Sequence, residues 1–173
     1  MKKIFYWGPF IDNKIATVKA MYNSAKGINR FSKSYKALIV NNLGEWNFKI
    51  NENNRDFFIG TKHNFINKLP KFGFIRSRFS YIIIFIITLI SLKNILKKYK
   101  PDYFIAHLIV SAPLILFKLF NFETRLIIRI SGKPKINFFR KFIWKNTSNI
   151  VHKVFCPTEE TKKNLIEQRI FNS

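Results

Sequence analysis

KYKPDYFIAHL, residues 98–108, decides how this chain folds. Pro101 has no amide hydrogen and its ring clashes with a preceding helical turn, so a helix arriving through residue 98 must stop before it. Proline also drives Lys100 out of the right-handed helical region. Tyr103, Phe104, Ile105 and Ala106 then form an apolar run of strand length. His107 stands where that strand ends. The expected unit is helix, break, buried strand, histidine. In an open α/β sheet, ligands bind just outside the carboxyl ends of the strands, which places His107 for chemistry.

The same alternation recurs outward from this unit. Residues 3–7 read as a first strand, stopped by Gly8-Pro9. Over residues 13–26, Ile15, Val18, Met21, Tyr22 and Ala25 fall at helical spacing, with Gly27 expected as the C-cap. Strands are expected at 36–41 and 56–60, and a loop with at most one helical turn at 61–78. The longest helix is expected at 79–98. After the strand that ends at His107 come a helix over 111–120, a strand over 125–130 (RLIIRI), a helix over 137–149 and a strand over 153–156 (KVFC) stopped by Pro157. Thr158 is expected to cap a last helix, with Glu159 and Glu160 in its first turn, where negative charge is favourable. The strands are continuous apolar runs, as in a parallel sheet covered on both faces. The predicted fold is α/β: a single doubly wound, mainly parallel, Rossmann-like sheet over residues 1–173.

Composition bounds the partners. Lys and Arg number 31 against 9 Asp and Glu, a net charge of +22. Such a field favours anionic partners: nucleic acid, acidic lipid headgroups or phosphorylated substrates. Lys, Asn, Ile and Phe are also the residues of A/T-rich codons, a source of charge that needs no partner. With 47% hydrophobic residues the chain can build a core. Cys156 is the one cysteine, so no internal disulfide forms, which suits a reducing cytoplasm. The N-terminus lacks the long apolar region of a signal peptide.

Residues 79–92 are uncharged and flanked by Arg76, Arg78, Lys93, Lys97 and Lys98. A spanning helix needs about 20 apolar residues. This segment is shorter, which leaves a helix packed on the sheet or one that dips into a membrane surface. Its cations suit anionic headgroups. Phe138, Phe139, Arg140, Lys141 and Trp144 interleave aromatic and basic residues, as nucleic-acid binders do. The lysines are nevertheless spread along the whole chain and no recognised module appears, which argues against nucleic acid.

Four turns are expected along one sheet edge: Trp7-Gly8-Pro9, His107, Ser131-Gly132 and Pro157-Thr158. No dinucleotide fingerprint or P-loop follows the first strand, which argues against a nicotinamide or ATP enzyme. His107 is a candidate general base or donor to a phosphate oxygen; the competing reading is a histidine held by a backbone carbonyl. Glu45 with Trp46 is a candidate pocket lining, against an ordinary loop. His63 and His152 have no Cys or acid at ligand spacing, so no metal site is expected.

The succession PDYFIAHL, helix, RLIIRISGKP, then KVFCPTEETKKNLIEQRI resembles the N-terminal, acceptor-side half of bacterial family-4-type glycosyltransferases with the GT-B fold. The resemblance covers nearly the whole chain and is firmest over 101–170. It implies sugar transfer from a nucleotide-diphosphate sugar to a lipid- or saccharide-linked acceptor, without a metal or other cofactor. It implies a role in cell-surface polysaccharide or glycolipid assembly, on the cytoplasmic face of the membrane. His107 matches the family's strand-end histidine, near the reacting centre. Gly8 matches the turn that approaches the donor diphosphate, where the family's double glycine is here Gly8-Pro9-Phe10. Ser131-Gly132 matches a turn lining the acceptor cleft. The family's C-terminal, nucleotide-sugar-binding domain is expected to be absent from this chain, leaving it inactive alone. The rival expectation is a non-catalytic basic domain that binds an anionic membrane or nucleic acid.

Overall fold

The computed structural model describes residues 1–10, 12–60, 74–132 and 134–171, with 74–79 and 81 as backbone. Among the described residues, six strands form one all-parallel sheet: β1 Lys2–Trp7, β2 Tyr35–Asn41, β3 Phe58–Gly60, β4 Tyr103–Ala106, β5 Arg125–Arg129 and β6 Val151–Phe155. Their order is β3-β2-β1-β4-β5-β6. The first and fourth strands are therefore neighbours, as expected, with Ile4 opposite Tyr103 and Trp7 opposite Ala106. The order reverses between β1 and β4. In such sheets the crevice for a ligand opens at that reversal.

Among the described residues, four α-helices lie between strands, α1 Ala16–Phe31, α2 Phe74–Tyr99, α3 Ser111–Leu119 and α4 Phe138–Thr147, and a fifth, α5 Glu159–Glu167, follows β6. Successive strand residues point to opposite faces. Phe5, Trp7, Phe104, Ala106, Leu126 and Ile128 pack with residues of α2, α3, α4 and α5. Ile4, Tyr6, Ala37, Ile39, Ile105 and Ile127 pack with Val18, Met21 and Ala25 of α1. Both faces are covered, which is why the strands read as unbroken apolar runs.

α1 does not end at Gly27. It continues to Phe31, and Gly27 sits in the helix with open space around it. A mid-helix glycine costs about 1 kcal/mol relative to alanine. The last turn offsets this through Asn29, whose side chain accepts from Ala37 N–H at 2.7 Å and donates to Ala37 C=O at 2.8 Å. β3 pairs with β2 only from Ile39 onward, so Asn29 satisfies a piece of sheet edge that the short strand leaves open.

α2 starts at Phe74, before the expected residue 79; residues 61–73 of the expected loop lie outside the described residues, as does His63. α2 ends at Tyr99, before Pro101. Lys100 leaves the right-handed region as expected, into a left-handed conformation at φ 40. Ile84, Thr88 and Leu92 are buried, while Ile82, Ile86 and Ile90 form an exposed row. The helix thus lies on the protein with one face outward. Among the described residues, no helix is long and apolar enough to cross a membrane.

Thr158 caps α5 as expected, its hydroxyl accepting from Thr161 N–H at 3.2 Å. Beyond the helix, Arg169 turns at φ 53 and folds Ile170 and Phe171 back into the core, with the Phe171 ring 5.6 Å from Trp144.

Candidate functional site

The parallel sheet gathers its strand ends along one edge. His107 directly follows β4, and its amide donates to the Trp7 carbonyl at 2.7 Å. That bond extends the β1–β4 ladder by one residue and locks the histidine beside the turn after β1. Gly8 stands against it: a Cβ at Gly8 would lie 2.9 Å from the His107 Cβ and 2.8 Å from Met21 Sδ. Only a residue without a side chain allows this approach. Leu108 then turns the chain at φ 61, a left-handed conformation that is costly for a branched residue.

A cavity of about 610 Å³ opens here between α1 and the β4–β5 half of the sheet. Tyr6, Thr17, His107, Arg129, Ser131 and Cys156 are its polar or titratable lining, and Ile28, Ile105, Ile127 and Phe155 supply apolar walls. Among the described residues no carboxylate lines it.

His107 is fully buried, and neither ring nitrogen has a hydrogen-bond partner. Burial, aided by the Arg129 cation, pushes its pKa down to about 3. The imidazole is therefore neutral at physiological pH, with one N–H to donate and one nitrogen to accept. Such a ring is a hydrogen-bond donor first and a weak proton acceptor. Tyr6 lies beside it, ring centroids 6.1 Å apart. Burial raises the Tyr6 pKa, against the opposing effect of Arg129, so the phenol keeps its proton.

Arg129 is the cation of the site. It sits at the end of β5, half-buried, and its Nη1 donates to Ser24 Oγ at 3.3 Å. Among the described residues no carboxylate pairs with it. Sequence reasoning did not single out Arg129, nor Thr17 in the first turn of α1. For Arg129 the available signal is a charged residue inside the apolar run of residues 126–130. Cys156 is half-buried, and its thiol pKa is raised by burial and by Glu159 against the effect of Lys162. It remains a protonated thiol rather than a nucleophile.

The sequence-predicted residues separate into groups. His107 and Ser131 line the cavity, and Gly8 backs His107. Gly132 follows Ser131 on the exposed rim. Pro9 is buried in the turn behind the site. Trp7 is buried with its ring on the opposite face of the sheet, stacked on Phe104 at 6.1 Å. Of the fourth turn, Pro157 lines the cavity and Thr158 does not.

Glu45 lies elsewhere. Its carboxylate is buried and accepts from Asn42 N–H at 3.2 Å and Leu43 N–H at 2.6 Å, closing the loop after β2 on itself. Burial pushes its pKa up to about 7, against the pull of those backbone bonds. The next residue, Trp46, packs edge-on against Phe10 at 5.0 Å. Glu45 thus shapes a loop that braces the turn after β1, and does not itself line the cavity.

A larger cavity of about 790 Å³ runs between the outer edge of β6 and α5. Pro157 and Thr158 of the fourth turn line it, whereas His107, Gly8, Ser131 and Gly132 do not. Among the described residues, no group of three or more His, Cys, Asp or Glu side chains is gathered to hold a metal ion. Trp144, of the aromatic and basic set on α4, is buried with its indole N–H on Ser111 Oγ at 3.2 Å, so it offers no stacking platform. No protein-family model matches the chain, and no curated protein matches its sequence.

Proposed function

We propose that this chain is the acceptor-side domain of a GT-B glycosyltransferase of cell-surface polysaccharide or glycolipid assembly. It works with a nucleotide-diphosphate sugar donor and a lipid- or saccharide-linked acceptor. The observation that carries the reading is the placement of His107: a buried, unpartnered histidine at the end of β4, on the cavity beside the reversal of strand order. The resemblance of PDYFIAHL, RLIIRISGKP and KVFCPTEETKK to that family supports it. Neutral His107 would donate a hydrogen bond to a sugar or phosphate oxygen, orienting the reactants rather than accepting a proton. The donor would be held mainly by a second domain, which also supplies the charge that stabilises the leaving diphosphate.

The domain would work at the inner face of the cell membrane. The outward row Ile82, Ile86 and Ile90, and Phe138 and Phe139 at 82% and 76% exposure, support this. Lys93, Lys97, Arg140 and Lys141 stand on the same helices to meet anionic headgroups. The same patches support the rival, a non-catalytic membrane-binding domain.

The test is transfer of radiolabelled sugar from nucleotide-diphosphate sugars to extracted membrane lipid. The protein is assayed as it occurs in the cell. Transfer that falls about 100-fold or more in His107→Ala, as on loss of one hydrogen-bond donor at the reacting centre, is the expected result. No product from any donor would leave the membrane-binding reading in its place.

A further inference from the structure

We propose that the cavity between α1 and the β4–β5 half of the sheet is a phosphate-ester site centred on Arg129. The inference stands on the cavity alone and holds whether or not the chain transfers sugar.

Three kinds of donor converge on the cavity. Arg129 brings a guanidinium with five N–H groups, of which one is engaged among the described residues, on the Ser24 hydroxyl. Ala16 and Thr17 line the cavity at the first turn of α1, where a helix's first amides have no intrahelical partner. The helix has neither a side-chain cap nor an acidic residue in its first turn; the Asp12 carboxylate before it is engaged by Lys14 N–H at 2.9 Å. His107 brings a buried imidazole whose nitrogens have no partner. The hydroxyls of Thr17 and Ser131 complete the polar set.

Among the described residues no carboxylate lines this cavity to compete for the guanidinium. A cation withdrawn from water without a counter-charge is costly, and an entering anion relieves that cost. Donors arriving from a helix end, a strand end and a second strand suit a tetrahedral oxyanion better than a planar carboxylate. The volume of about 610 Å³ exceeds one phosphate, and Ile28, Ile127 and Phe155 wall the remainder. The ligand is therefore a phosphate carrying an organic group, of the kind found in a lipid phosphate or a nucleotide.

Binding of inorganic phosphate and pyrophosphate to the purified chain, measured calorimetrically in about 0.3 M salt to screen the general field, tests this. Arg129→Gln should weaken binding at least about tenfold. Arg125→Gln is the control: it removes the same charge from the same strand, at an exposed position bonded to Tyr103 and away from the cavity. Equal loss in the two variants would overturn the site and assign binding to net charge. Should Arg129→Gln not fold, the wild-type chain still decides. Phosphate should shift the amide resonances of Ala16 and Thr17, and unmoved resonances at saturation would overturn the proposal. A nucleoside diphosphate and a short-chain prenyl phosphate separate the sources. Tighter nucleotide binding assigns the site to a nucleotide, tighter prenyl phosphate binding assigns it to a lipid, and binding of neither overturns it.

Discussion

A Cβ on Gly8 would lie 2.9 Å from the Cβ of His107, so the turn after β1 and the end of β4 touch with no room for a methyl group. Met21 Sδ, at 2.8 Å, can swing away, but the His107 Cβ is fixed by its backbone. Gly8→Ala should therefore separate the two strand ends at a cost of about 1–3 kcal/mol. Urea denaturation of the two proteins measures it. An unchanged midpoint would mean that the strand ends are looser than described.

Two buried groups should hide one another in the pH dependence of stability. His107 titrates at about 3 folded against an ordinary 6.5, so between these values the unfolded chain binds its proton and the folded chain does not. Stability from this group rises with pH, at about 1.4 kcal/mol per unit. Glu45 titrates at about 7 folded against an ordinary 4.5, so there the folded chain holds the extra proton and stability falls as pH rises. Between 4.5 and 6.5 the two slopes oppose and cancel. In Glu45→Gln the rising slope should emerge over that window. In His107→Gln the falling slope should emerge and extend to about 7. Denaturant midpoints at half-unit steps check both signs, and parallel profiles in the three proteins would refute the pairing.

Lys100 ends α2 in a left-handed conformation, φ 40, with its amide donating to the Leu96 carbonyl at 3.0 Å. That is the conformation glycine takes at a helix C-terminus without penalty. Lys100→Gly should stabilise the protein by about 0.5–1 kcal/mol, the relief of strain exceeding the extra freedom of the unfolded chain. A lowered melting temperature would show that the lysine side chain contributes more than its backbone costs.

Flotation with vesicles tests the outward helix faces. Binding should require anionic lipid and weaken with salt. Phe138→Ser with Phe139→Ser should reduce it about tenfold or more, since two exposed rings supply the apolar part and Arg140 and Lys141 remain. Equal binding to neutral vesicles would remove the electrostatic component.

The sheet was legible because a strand buried on both sides is an unbroken apolar run, and Pro101 marks the boundary before the central one. The same property conceals Arg129. Without alternation between the faces, RLIIRI does not tell which side its last arginine takes, so the cation of the site appears only once β5 is set beside β4. Gly27 reads as a helix end because glycine caps are local signals. The bonds from Asn29 to Ala37 that carry α1 past it depend on how far β3 reaches along β2. Glu45 reads as pocket lining by its place after a strand. Its role as a clamp follows from a loop that closes on its own carboxylate, which no spacing announces.

The β1–β4 pairing has a consequence for the order of folding. Lys3 N–H bonds the Asp102 carboxylate across a separation of 99 residues, and Trp7 meets Ala106 over a similar span. Closing so long a loop is slow, and its entropy is lost before the contact rewards it. The bond that seats His107 on the Trp7 carbonyl belongs to that closure, and so does the contact with Gly8. Local pieces of this chain can form helices and the β1–α1–β2 unit early. The histidine and its neighbours become a site only once β1 and β4 have paired. Until then β1 presents an open apolar edge, and the nascent chain is most prone to aggregate in that interval.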